Sequence, residues 1–92
     1  MSRPRRGAGL RAGRVTFYGN AVDGYTASRQ AVGCPWQARA TVRPVVGQWV
    51  ASWTGRDGRE VLVAPRGARA QAAKEALDAF DADRAAAWRA LQ

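Results

Sequence analysis

The sequence predicts an α+β fold, a three-stranded antiparallel sheet packed on a long C-terminal helix, with a flexible basic arm in front. Three observations carry this expectation. Between Trp36 and Val63 apolar and polar residues alternate, which sets successive side chains on opposite faces of a pleated strand. Two turn signals, Pro44 to Gly47 and Asp57-Gly58, divide that stretch into strands near 36–43, 48–54 and 59–64. From Ala68 to Leu91 there is neither Gly nor Pro, and alanine, the best intrinsic helix former, dominates.

Residues 1–14 hold five Arg, three Gly and one Pro with no acid, too little apolar surface to order a chain. They are expected to form the arm, leaving 15–92 as a single small domain. Within the arm, Arg3-Pro4-Arg5-Arg6-Gly7 resembles the minor-groove hook of chromatin proteins, although that motif centres on Arg-Gly-Arg. Val15 to Tyr18 has strand propensity, and Gly19-Asn20 and Asp23-Gly24 are turn signals. Residues 26–33 read either as a two-turn helix, capped by Thr26 and ended by Gly33, or as an irregular strand.

In the first strand of the predicted sheet Trp36, Ala38, Ala40 and Val42 share one side, and Gln37, Arg39, Thr41 and Arg43 the other. In the second, Trp49, Ala51 and Trp53 alternate with Gln48, Val50, Ser52 and Thr54, and in the third Val61 and Val63 fall together. The tryptophans are therefore expected beneath the helix, with the arginines turned outward. Near 68–91, Ala70, Ala73, Leu77, Phe80, Arg84, Ala87 and Leu91 recur at spacings of three and four, one apolar stripe interrupted by Arg84. Arg84 is expected to snorkel to the edge, the alternative being a helix docked only as far as Phe80. Lys74 and Asp78, four apart, form a surface pair.

Composition narrows the chemistry. The chain of 92 residues has one cysteine, which excludes an internal disulfide framework and a cysteine zinc site. It has no histidine, the usual general acid–base, and four of its seven acids lie on one helix surface, where they are expected to face water. Gly7-Ala-Gly-Leu-Arg-Ala-Gly13 lacks the strand and the Lys-Ser/Thr of a phosphate loop. Cys34 has no activating base nearby in sequence and reads as a small buried hydrophobe. Ser28 and Ser52 lack partners too. The sequence thus predicts no enzyme, no cofactor and no metal site. The N-terminus is charged but no apolar run follows it, so a secretory signal is not expected. Nothing comes near the roughly 18–20 apolar residues of a membrane span, so no membrane partner is expected either, and the cytoplasm is the expected location.

The net charge of +8 is unevenly spread. Residues 1–69 hold twelve Arg against Asp23, Asp57 and Glu60, whereas residues 70–92 hold Lys74, Arg84 and Arg89 against four acids. A GC-rich coding bias accounts for fourteen Arg against one Lys beside twenty Ala, but not for the shortage of acids in the body. A basic body with a near-neutral helix suits a polyanion on one side, and nucleic acid is the expected partner. Arg39, Arg43, Gln48 and Ser52 lie on the outward face of the predicted sheet. Arg56 and Arg59 flank the hairpin tip, Arg66 follows the third strand, and Arg3, Arg5 and Arg6 lie in the arm. Arg reads guanine through paired hydrogen bonds, Gln reads adenine, and Ser or Thr reaches phosphate.

The run Gly47-Gln-Trp49-Val-Ala51-Ser-Trp53, followed by Asp57-Gly58-Arg59, resembles the three-stranded DNA-binding domain at the front of many phage and transposon tyrosine integrases. The plant ethylene-response-factor type domain shares that fold. The likeness spans about residues 36–80. It implies a sheet face in the major groove, bases read from Arg39, Arg43, Gln48 and Ser52, and phosphates held by Arg56 and Arg59. Two departures stand out: Ala64-Pro65-Arg66-Gly67 replaces the Phe-x-Thr that opens the helix, and Trp53 takes a place where a smaller or charged residue is common. No recombinase catalytic domain follows within these residues, so the resemblance implies a phage or mobile-element accessory or regulatory factor.

Two other readings compete. A winged-helix regulator would use 26–32 and 36–43 as its helix pair and 48–63 as its wing. A protein-interaction or assembly subunit would use the Trp-rich sheet and the C-terminal helix, which also offers a surface for homo-oligomers. Duplex DNA is favoured over RNA as partner, although phosphate attraction serves both.

Overall fold

The computed structural model describes residues 14–30 and 33–91. Five strands follow one another, β1 (Thr16–Asn20), β2 (Gly24–Arg29), β3 (Ala38–Val45), β4 (Gln48–Thr54) and β5 (Glu60–Leu62), before the helix α1 (Arg69–Ala90). The sheet is an antiparallel meander in the order β1-β2-β3-β4-β5. The expected three-stranded sheet is therefore its β3–β5 portion, extended by two strands from 16–29.

Those two strands correct the helical option at 26–33. Thr26 pairs with Tyr18 and Thr41, and Ala27 with Phe17 and Ala40. The residues that resembled a capped turn instead alternate between faces, and tertiary pairing outweighs a local cap signal. The winged-helix pair has no basis either, because 24–29 and 38–45 are both strands.

The first turn lies later than expected. β3 runs through Pro44 to Val45, and Val46-Gly47 alone reverse the chain, both with positive φ (47° and 78°), as a two-residue hairpin with right-handed strands prefers. Pro44 is tolerated because the β3–β4 register turns its missing N–H toward β2, whose first residue, Gly24, lies level with Arg43. The Asp57-Gly58 turn forms as expected: the Gly55 N–H donates to the Arg59 carbonyl (2.8 Å), and Asp57 Oδ1 accepts from the Arg59 N–H (3.0 Å). β5 is short, but the Val63 N–H still donates to the Ala51 carbonyl, and Trp49 and Arg66 exchange both backbone bonds beyond Pro65.

α1 lies along one face, parallel to β2 and β4. Its first residue, Arg69, stacks on Phe17 and Tyr25, and Arg84 reaches the end of β4. Alanines, rather than tryptophans, lie beneath it. Ala27, Ala38, Ala40, Val42 and Ala51 from the sheet meet Ala72, Ala73, Ala76 and Leu77 from the helix. Small residues on both sides leave no room for an indole between the layers, so Trp49 and Trp53 flank the core. The buried helix stripe is accordingly turned from the expected one: Ala72 and Ala76 are buried, while Ala70 and Leu91 are exposed. A helix of 22 residues, about 33 Å long, overruns strands of about 24 Å. Trp88 and Leu91 lie on that exposed overhang. No helix among the described residues is long and apolar enough to cross a membrane.

Candidate nucleic-acid interface

Cross-strand register assigns the two faces. Phe17, Ala27, Ala40, Trp53 and Val61 lie toward α1. The opposite face carries Thr16, Ser28 and Arg39 in one row, then Tyr18, Thr26, Thr41, Ser52 and Leu62, then Arg43 beside Val50, and Val45 beside Gln48. Among the described residues no element covers this second face.

The acids of the helix are all matched to cations, although Arg69 and Arg89 of α1 have no carboxylate partner among the described residues. Arg29, only 5% exposed, donates to Asp78 Oδ1 (2.9 Å) and Asp81 Oδ2 (2.6 Å), and Trp36 Nε1 donates to Asp81 Oδ1 (2.8 Å). Arg66 holds Glu75 through two bonds of 2.6 and 2.8 Å. Arg56 and Arg84 share Asp83, and Arg84 also stacks on Phe80 and donates to the Thr54 carbonyl (3.3 Å). Lys74 reaches Asp78 at 2.7 Å, as its spacing predicted. The four helix acids therefore face arginines of the body, a correction to the expectation that they face water. Arg84 does reach the edge, while Trp88 and Leu91 extend past it.

These pairings shift the acids. Hydrogen bonding from Arg66, reinforced by its charge, holds the Glu75 carboxyl below its usual range. Burial pushes Asp78 and Asp83 upward, yet the bonds and charges from Lys74 and Arg29, and from Arg84 and Arg56, outweigh it and leave both lowered. Burial, with the charge of Asp81, raises the Cys34 thiol, which therefore has no thiolate character.

The expected site residues divide accordingly. Arg39, Arg43 and Gln48 lie exposed on the helix-free face, and neither arginine has a carboxylate partner among the described residues. Ser52 lies on the same face but is 5% exposed between Thr41 and Leu62, which leaves its hydroxyl little access. Arg59 is 86% exposed at the hairpin tip, 3.7 Å from Asp57. Arg56 is exposed but tied to Asp83, and Arg66 is turned to the helix side by Glu75. Arg3, Arg5 and Arg6 lie outside the described residues. The sequence reading missed the hydroxyls of Thr16, Tyr18 and Thr26, which alternation within 16–18 and 26–28 signals once both are read as strands.

Gly24 explains how Arg43 lies. A Cβ there would come within 2.7 Å of Arg43 Cγ, so the arginine stem runs across the bare glycine and carries its guanidinium along the face. Among the described residues, no group of three or more metal-ligating side chains comes together. The chain matches no family model, no curated protein and no solved structure. The resemblance to integrase arm domains thus rests on the residues from Gly47 to Arg59 themselves.

Proposed function

We propose that this protein is a non-catalytic nucleic-acid-binding module that engages duplex DNA through its helix-free sheet face. The observation that carries the proposal is the sorting of charge: the helix acids pair with Arg29, Arg56, Arg66 and Arg84, while Arg39 and Arg43 project from the other face and form no ion pair among the described residues, even though Glu60 shares that face. Arginines beside hydroxyls are the groups that hold phosphates and base edges.

Width decides how such a face meets a duplex. Five strands about 4.8 Å apart span roughly 19 Å, whereas the major groove is about 12 Å wide and admits two strands. The β3–β4 ribbon is the part that enters. Arg43 and Gln48 near its Val46-Gly47 tip are the base readers, and Arg39, about four residues or 13 Å along β3, takes a more distant phosphate or base. Thr16, Tyr18 and Thr26 on the flanking strands meet the sugar–phosphate rim, and Arg59 adds charge at the opposite hairpin. The basic N-terminal run contributes non-specific attraction, as a regulatory factor of a phage or mobile element would use.

The test is a titration of the purified chain against random duplex DNA, single-stranded DNA and RNA at two ionic strengths. Duplex binding should weaken with salt at a log–log slope of about −3 for three phosphate contacts, and more steeply with the arm engaged. A preference for RNA would move the partner, and the absence of binding to all three would end the proposal.

A further inference from the structure

β3 and β4 pair only from Thr41 and Ser52 to Val45 and Gln48. Beyond Thr41, β3 continues to Ala38 against β2, and beyond Ser52, β4 continues to Thr54 against β5. The sheet therefore parts between Ala40 and Trp53. Arg84 takes the Thr54 carbonyl that a continuing β3 partner would have bonded. A cleft of about 350 Å³ lies at the parting, near the small end of the roughly 300–1,000 Å³ range of ligand pockets. Arg39, Thr41, Thr54 and Glu60 from the helix-free face line it, and Trp53 and Phe80 supply an aromatic wall from the helix side.

We infer that this cleft receives one unstacked guanine base. The inference rests on the reading of the helix-free face as a nucleic-acid interface. An aromatic wall accepts a flat heterocycle, and single-stranded or bulged bases are recognised by such packing together with hydrogen bonds along their pairing edge. Glu60 has no ion-pair partner among the described residues. Ionised, its carboxylate is an acceptor only. Guanine alone presents two adjacent N–H donors on its pairing edge, at N1 and N2. Adenine and cytosine place a ring nitrogen acceptor beside their amino group, which repels a carboxylate, and uracil and thymine flank their single N–H with carbonyls. Arg39, on the same rim, is left for the phosphate of that nucleotide. The cleft lies at the end of the ribbon away from the Val46-Gly47 tip, so its occupant belongs to a strand that has left the duplex.

Two-dimensional amide NMR of the full chain, titrated with the 5′-monophosphates of guanosine, adenosine, cytidine and uridine, tests this. The guanosine nucleotide should shift the Trp53 indole and the Thr41 and Thr54 amides saturably. Glu60→Gln should weaken it about tenfold, the worth of a charge-assisted hydrogen bond. Glu60 is exposed, so this variant should unfold thermally as the parent does, and its binding to random duplex should not fall. Loss of duplex binding with guanosine binding intact would sink the interface and spare the cleft. Unmoved signals with all four nucleotides, equal shifts with the adenosine or cytidine nucleotide, or an indifferent Glu60→Gln would overturn the guanine site, whatever the duplex does.

Discussion

Arg29 keeps its charge at 5% exposure because Asp78 and Asp81 close on one of its terminal nitrogens, and Trp36 steadies Asp81 from the other side. Its Nε is the one buried side-chain polar atom without a partner among the described residues, so the arginine depends heavily on those two acids. Asp81→Ala removes the shorter bond and should cost about 3 kcal/mol in urea unfolding, as breaking a buried ion pair does. A loss below about 1 kcal/mol would place the network among ordinary surface pairs. Arg39 and Arg43 lie in the opposite circumstance. Changing either to Ala removes no internal bond, so stability should hold while DNA affinity drops by about 1–3 kcal/mol for a base-reading contact. Alternation turned Arg39 and Arg43 outward, but nothing in the sequence marked Arg29 and Arg66 as paired with the helix. That pairing is visible only once the helix sets Asp78, Asp81 and Glu75 beside them.

At the scale of elements, the β3–β4 hairpin and the helix follow different rules. Val46 adopts φ 47°, a conformation that costs an L-residue about 1–2 kcal/mol and is worst for a β-branched one. It is 97% exposed, so packing gives nothing back. Val46→Asn should therefore raise the unfolding midpoint, by roughly 1 kcal/mol of stability. An unchanged midpoint would mean that the turn relaxes out of the two-residue form. The helix is fastened by size complementarity: Leu77 is its largest fully buried side chain, in a layer otherwise made of alanine. Leu77→Ala should cost about 2–5 kcal/mol, measured by denaturation.

The alternation in 48–54, the Asp57-Gly58 turn and the helix were legible because each is a local pattern. The strand at 24–29 was not: its half-polar run satisfied a helix cap and a strand equally, and only pairing with β1 and β3 decides. The tryptophans misled for a related reason. Hydrophobicity placed them in the core, but layer spacing reserves the centre for alanine.

Across the whole molecule, the acids of the helix are matched to cations, and that matching makes stability depend on pH. Glu75, Asp78 and Asp83 titrate lower in the folded chain than in the unfolded one. A depressed carboxyl stabilises the fold above its unfolded value and gives that stability up as pH falls through the folded one. Stability should hold near neutrality and decline below about pH 4, where unfolded carboxyls begin to take protons that the folded ones still refuse. Thermal unfolding between pH 7 and 3 checks the sign, and a chain that grows more stable on acidification would contradict it. The same pairing that acid removes occupies Arg29, Arg56, Arg66 and Arg84, whereas Arg39 and Arg43 stay open on the helix-free face.

Binding of random duplex DNA by the parent chain and by the Arg39→Ala/Arg43→Ala double variant, followed across ionic strength, tests the central claim most directly. The account predicts salt-sensitive parent binding and a double variant that folds normally, binds at least about tenfold more weakly and shows a shallower salt slope. Equal affinity and equal slope for the two proteins would contradict it.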